Sequence, residues 1–152
     1  MHTLTDHVSF WNSVKPGSYA GTAAGSDTFG TAVSMAGYDT ATIFICGTAA
    51  AAAGSAVFTV FSATDAANAG SAAVSAATLN FVGTAVAADT AQLFTITLKA
   101  DQLPAASPFI FVKQTIYGNS AVWVGAAHIL RYNGRKLPAA NTTLLQDVIA
   151  VA

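Results

Sequence analysis

Charge is the property that this 152-residue chain has least of. Only 9% of its residues are charged, glutamate is absent, and the net charge at neutral pH is −1. Soluble domains carry about 25% charged residues, which keep their surfaces solvated and separate. Because 53% of the residues are hydrophobic and the mean hydropathy is +0.52, the composition predicts a protein that associates with copies of itself or with a larger particle.

Cysteine is nearly absent as well. Cys46 is the single cysteine, which excludes an internal disulfide. It lies in the apolar run 42–46 and is predicted to be a small buried hydrophobe. A framework without disulfides is compatible with synthesis in a reducing cytoplasm.

Long apolar runs and basic patches are also missing. The longest weakly polar stretch, residues 48–60, is mostly alanine and glycine, whereas a membrane-spanning helix needs about 20 apolar residues. Arg131, Arg135 and Lys136 form the one basic cluster, and we predict that it is a solvated loop. Neither a membrane nor a nucleic acid is therefore expected as a partner.

The sequence contains no recognisable catalytic or metal-binding pattern. Its seven aspartates are isolated, and most lie beside turn residues, where Asp bonds the local backbone. His2 and His7 are not accompanied by further ligands, and no nucleophile elbow, phosphate-binding loop or zinc motif occurs. We predict no catalytic residue, no metal ligand, no cofactor and no enzymatic activity.

From Phe29 onward the chain reads as short β-strands separated by Gly, Asn, Asp and Pro. The pattern predicts an all-β fold, either an antiparallel β-sandwich or a jelly-roll-like barrel, with extended N- and C-terminal arms. Its parts are an N-terminal extension over residues 1–28, a β-sandwich domain over 29–138 and a C-terminal arm over 139–152. Strands are expected at 30–35, 40–46, 56–62, 72–76, 78–82, 93–99, 109–116 and 121–131.

Two of these strands are apolar on both faces. In 121–131, Val124 and Leu130 oppose Trp123 and Ile129, and strand 109–116 behaves likewise. Two-sided hydrophobicity in an antiparallel sheet means that the outer face is covered as well, and a second subunit is the natural cover. His128, on the face of Val124 and Leu130, is predicted to be a hydrogen-bonded core or interface residue.

Large apolar side chains outside the regular pattern are candidate interface anchors, since such side chains dominate binding energies. Those in the N-terminal extension could equally fold back onto the domain's own core. The candidate interface residues are Phe10, Trp11, Tyr19, Trp123, Leu144, Leu145 and Ile149.

The middle of the chain resembles the small β-sandwich proteins that decorate or cement the capsids of tailed bacteriophages. The resemblance covers residues 37–131 and consists of alternating strands joined by turns rich in Ala, Gly and Thr. It is carried by Gly37–Ile45, Ala56–Asp65, Leu93–Lys99, Phe109–Lys113 and Ala121–Leu130.

This resemblance implies a structural virion protein that bridges capsomers on the capsid surface. It further implies a homo-oligomer, with a trimer as the expected form, made in the host cytoplasm and bound to the major capsid protein. The alternative from a different class is a tail, fibre or adhesin-type module that binds carbohydrate. Its candidate residues are Tyr117, Asn119, Tyr132, Asn133 and Arg135.

Overall fold

The computed structural model describes residues 8–49, 54–82, 92–119 and 121–134. These residues form nine strands and one short 3-10 turn, Ala100–Gln102. The strands are β1 (Ser9–Ala20), β2 (Ser26–Phe29), β3 (Val33–Ser34), β4 (Tyr38–Ala49), β5 (Ser55–Ala63), β6 (Ala72–Val82), β7 (Gln92–Lys99), β8 (Phe109–Tyr117) and β9 (Val122–Gly134).

The strands lie in two antiparallel sheets, which confirms the predicted all-β sandwich. Sheet A has the order β1-β9-β4-β7, and sheet B has the order β2-β8-β5-β6, with β3 also paired to β8. If β2 and β3 are counted as one interrupted strand, each sheet has four strand positions, and all paired neighbours except β5 and β6 are distant in sequence. This is the strand order of a jelly roll, so the second of the two predicted forms describes the chain more closely.

Alternation along the central strands places one apolar row between the sheets. Ile43 lies opposite Ile129 on one side and Ile96 on the other, and in sheet B Val60 lies opposite Val112. Residues at even spacing share one face of a strand, so these pairs define the inner faces. Buried inner side chains are Ala41, Ile43, Ile45, Leu98, Trp123, Ala127 and Ile129 from sheet A, and Ala56, Phe58, Val60, Ile110, Val112 and Ile116 from sheet B.

Trp123 is the largest buried side chain, and a row of glycines makes room for it. Its side chain is 1% exposed and meets the Phe58 ring edge-on, with centroids 5.4 Å apart. Gly17, Gly125 and Gly47 face one another across β1, β9 and β4. A Cβ at Gly47 would lie 2.6 Å from the indole ring, and one at Gly125 would lie 2.6 Å from its Nε1.

We predict that Gly125→Ala destabilises the protein by about 1–3 kcal/mol, the usual cost of overpacking a core. The added methyl would collide with the Cys46 carbonyl as well as with the indole, and a backbone atom cannot rotate away. Gly17→Ala is the matched control, because the atoms nearest to its Cβ would be those of the Tyr19 side chain, at an ordinary contact distance of 3.4 Å. Urea unfolding of both variants measures the difference, and equal losses would contradict this account of the glycine row.

The sequence predicts an extension over residues 1–28, whereas residues 9–20 form β1, paired with β9 from Ser9↔Arg131 to Ala20↔Val122. The pairing shifts register between Asn12 and Val14 and again before Gly17. These bulges put the inward residues Trp11, Val14 and Tyr19 at spacings of three and five. Because the alternation is broken, the segment does not show a strand pattern in its sequence. The predicted strands 72–76 and 78–82 are one strand, β6, and the predicted C-terminal arm lies outside the described residues.

The sequence predicts Arg131 in a solvated loop, and this prediction is wrong. Strand β9 continues to Gly134, so Arg131 occupies an inward position and is 6% exposed. Its guanidinium donates to the Ser34 carbonyl and, at 2.6 Å, to the Ser9 hydroxyl, and it lies 4.4 Å from the centre of the Tyr38 ring. Burial lowers the pKa of Arg131. The residue therefore ties β1, β3 and β9 together at one end of the sandwich.

Candidate subunit interface on the outer face of sheet A

The outer face of sheet A carries large apolar side chains in register. Phe10 on β1 lies opposite Leu130 on β9, and His128 lies opposite Phe44 on β4. Towards the other end of β9, Val124 is 45% exposed, and Leu93 on β7 is 65% exposed. We call this surface the A face and define it by Phe10, Phe44, Leu93, Val124, His128 and Leu130.

His128 lies at the centre of the A face and is held by β1. Its Nδ1 donates to the Asn12 Oδ1 at 2.5 Å, and its ring stacks on Phe10 with centroids 5.1 Å apart. The side chain is half-buried, and this burial lowers the pKa of His128 below its usual 6.5. The geometry confirms the prediction that His128 is hydrogen-bonded, and at neutral pH it adds no charge to the face.

The lowered pKa of His128 gives stability a definite dependence on pH. Because the folded state binds a proton at His128 less readily than the unfolded state does, this contribution is complete above about pH 6.5. It is lost as the pH falls from there through the folded pKa. We predict that wild type loses more unfolding free energy between pH 7.5 and pH 5.0 than His128→Gln, as measured by urea titration. Parallel losses in the two proteins would contradict this assignment.

The A face has almost no charge, and its size suits an interface. On the outward positions of β4, β7 and β9, Lys99 is the single charged residue. Most of the other outward residues are either apolar or threonine. Four strands about 4.8 Å apart and nine residues long cover about 600 Å². A standard protein interface buries about 800 Å² on each partner, so the A face could supply most of one.

The outer face of sheet B differs, because the chain itself covers its centre. Phe111 points outward yet is 0% exposed, and it stacks on Phe61 with centroids 5.5 Å apart. Ala32, in the loop after β2, packs against Phe111, and Asn68, in the loop after β5, donates to the Gly30 carbonyl of that same loop at 3.2 Å. For strand 109–116, the predicted cover is therefore supplied within the subunit.

The exposed part of the sheet B face carries an ion pair. The Lys113 ammonium lies 2.8 Å from the Asp27 carboxylate and 5.4 Å from the centre of the Phe29 ring. Hydrogen bonds from Lys113 and Thr115 lower the pKa of Asp27. A charged group thus lies beside Phe29, whereas the A face has none at its centre among the described residues.

The structure divides the predicted interface residues into four groups. Phe10 lies on the A face. Trp11 and Tyr19 point inward and pack against the core, where the Trp11 indole donates to the Thr31 carbonyl at 3.2 Å. Trp123 is a core residue of its own subunit and is too buried to contact another. Leu144, Leu145 and Ile149 lie outside the described residues.

Phe44 and Leu93 were missed as interface candidates. Both occur in strands that the sequence analysis identified, on the face opposite to the inward Ile43 and Phe94. Their alternation with inward residues was therefore visible in the sequence. What the sequence did not show is that β4 and β7 adjoin β9, which brings their outward side chains beside Val124 and Leu130.

The residues considered for carbohydrate binding do not form one site. Tyr117 pairs with Ser55 at the end of the sandwich where β9 begins, and Tyr132 pairs with Thr40 near the other end. Nine residues of strand separate Trp123 from Tyr132, a length of about 30 Å. The Asn119 side chain accepts a hydrogen bond from the Ala23 amide at 2.9 Å, and Arg135 lies outside the described residues.

Within the described ranges, no group of three His, Cys, Asp or Glu side chains is placed to hold a metal ion. Over the same ranges, no helix has the length and hydropathy needed to cross a membrane.

Comparison with known proteins gives similarity in structure and none in sequence. A scan against protein-family models and a search of curated proteins return no match. The fold is similar to solved structures of infectious bursal disease virus. For the Gt strain the TM-score is 0.54 at 10% identity, over 88% of this chain and 34% of that one.

Two further structures of the same virus give similar values. For the VP2 subviral particle the TM-score is 0.55 at 7% identity, over 84% of this chain and 32% of that one. For the T13 viral particle the TM-score is 0.56 at 10% identity, over 88% of this chain and 33% of that one. This chain spans about a third of the length of these proteins, and at such identities the likeness is one of fold.

Proposed function

We propose that this protein is a non-enzymatic structural subunit of a virus particle and that it is held in the particle through the A face. The single observation that carries the proposal is this uncharged apolar surface, centred on Phe44 and His128. An apolar patch of several hundred Å² on a protein surface marks an interaction site. The protein would act passively, since burial of apolar area at the A face contributes about 25 cal/mol per Å² to binding before the costs of association.

The composition and the fold support the same proposal. A chain with so little charge is poorly suited to remain a free monomer, and a repeated contact on a symmetric shell strengthens a modest pairwise affinity. Jelly rolls occur among virus particle proteins and also among lectins and cupins. The fold is therefore compatible with the proposal but does not select it by itself.

The narrower form of the proposal is decoration of a bacteriophage capsid. In that form the protein is a trimer on the capsid surface, bound to the major capsid protein and bridging neighbouring capsomers. It rests on the sequence resemblance over residues 37–131. The A face supports contact with copies of the chain and with a capsid surface alike.

Carbohydrate binding receives no support from the site geometry, because its candidate residues Tyr117 and Tyr132 lie at opposite ends of the sandwich. No second function is therefore proposed.

Association with particles is tested by fractionating cells that produce the protein. Particles are separated on a density gradient, and peptides of this chain are quantified by mass spectrometry against those of the main coat protein. We expect this chain in the particle fraction at a fixed ratio to the coat protein across independent preparations. Its confinement to the light fractions, or a ratio that varies from one preparation to the next, would refute the proposal.

A further inference from the structure

The two edges of sheet A differ in how open they are. Strand β1 carries Lys15 and Pro16 and two breaks in its register, and these features hinder pairing with another strand. The chain also covers this edge, because the Thr31 amide donates to the Ser13 carbonyl at 2.8 Å. Strand β1 is therefore a protected edge.

Within the part of the chain that the structure describes, strand β7, at the other edge, has none of these features. It pairs with β4 in unbroken register from Thr40↔Lys99 to Gly47↔Gln92, contains no proline, and has one charge, at its last residue. Among the described strands, β4 is its only partner in the sheet. Ile96, although it points towards the core, is only partly buried, so the sandwich is not fully closed along this edge.

The sequence of β7 is complementary to itself. If two copies pair antiparallel about Ile96, then Phe94 lies opposite Leu98, Thr95 lies opposite Thr97, and Leu93 lies opposite Lys99. Apolar side chains then face apolar ones on the inner side, and threonines form cross-strand pairs on the outer side, which is favourable. The two Lys99 side chains lie about 20 Å apart, so no like charges oppose each other.

We propose that β7 pairs with β7 of a second copy of this chain, which joins two A sheets into one eight-stranded sheet about a two-fold axis. A two-fold contact of this kind uses the same surface on both subunits and is self-limiting. It is separate from contact through the A face and does not depend on the virion role. Together, an edge contact and a face contact would connect each subunit to neighbours in two directions.

Cysteine cross-linking in the full-length protein tests this register. In a Cys46→Ser background, Thr95→Cys and Thr97→Cys are made as separate variants; both threonines are exposed, so folding should be unaffected and is checked by circular dichroism. Opposed residues in antiparallel strands have Cα atoms about 4.5–5.5 Å apart, within disulfide range, whereas diagonal neighbours are about 7–8 Å apart. Each variant alone should therefore cross-link poorly, and an equimolar mixture should cross-link well.

We expect the oxidised mixture to give at least tenfold more disulfide-linked dimer than either variant alone, with mass spectrometry locating the bond between residues 95 and 97. Ser18→Cys mixed with Ala20→Cys is the matched control, because both positions are exposed with the same spacing on the protected edge, and this mixture should stay monomeric on a non-reducing gel. If either single variant cross-links as well as the mixture, or if the mixture yields no dimer, the proposed pairing is wrong. Loss of virion association in the fractionation experiment would leave this result unchanged, so the two proposals can fail separately.

Discussion

Deleting residues 1–20 is expected to abolish cooperative folding. The deletion removes β1, which covers one side of β9 along its length and supplies the buried Val14. It also removes Ser13, whose hydroxyl accepts a hydrogen bond from the Val112 amide in the opposite sheet at 3.0 Å, and Ser9, a partner of Arg131. A small domain is stable by about 5–15 kcal/mol. Burial of Val14 contributes about 1.5–3 kcal/mol, and together with the partly buried Trp11 and Tyr19 and the hydrogen-bond ladder to β9 the loss is comparable to that margin.

Thermal denaturation followed by far-ultraviolet circular dichroism measures this effect. The control is deletion of residues 1–7, which removes no residue of β1 and should preserve a single cooperative transition. A cooperative transition in the chain lacking residues 1–20 would mean that β1 is dispensable and would support the extension that the sequence analysis predicted.

Phe44→Lys is expected to weaken self-association through the A face while leaving the subunit folded. Phe44 is half-buried at the centre of the A face, beside His128. A lysine there would replace a large apolar contact with a charge that has no partner among the described A-face residues. Such a loss at the centre of an interface costs at least about 2 kcal/mol, or about 30-fold in the dissociation constant.

Thr78→Lys is the matched control, because it adds the same charge at an exposed position of β6 in sheet B. Sedimentation equilibrium of the two variants and wild type gives their dissociation constants, and far-ultraviolet circular dichroism checks folding. If Phe44→Lys associates as strongly as Thr78→Lys, the A face is not the interface.

The sequence predicted the elements whose alternation is regular and missed those whose alternation is interrupted. Strand β7 was identified because Phe94, Ile96 and Leu98 alternate strictly with polar residues. Strand β1 was not, because its two bulges put inward residues at uneven spacing. A bulge depends on the partner strand, and Asn12 and His128 are 116 positions apart, so local pattern contains no trace of it.

For the candidate interface, too, one part could be predicted from the sequence and another could not. That β9 is apolar on both faces could be seen from Val124 and Leu130, and the A face follows from it. Side-chain size alone could not separate Trp123, which the row of glycines accommodates in the core, from Phe10, which lies on the surface. Nor could it separate the outward Phe111, which loops of its own chain cover, from Val124, which is 45% exposed. Both distinctions depend on which distant segments meet.

Self-association of the native chain is the central claim, and its native mass tests it most directly. Sedimentation equilibrium of the purified wild-type protein over a hundredfold range of concentration measures that mass. We expect an oligomer whose mass stays constant over the range. Three times the chain mass of 15.3 kDa would match the trimer of the narrower proposal, and twice that trimer mass would match trimers that are also paired through β7. A monomer at every concentration would mean that neither the A face nor the β7 edge binds a second copy, and it would contradict the account.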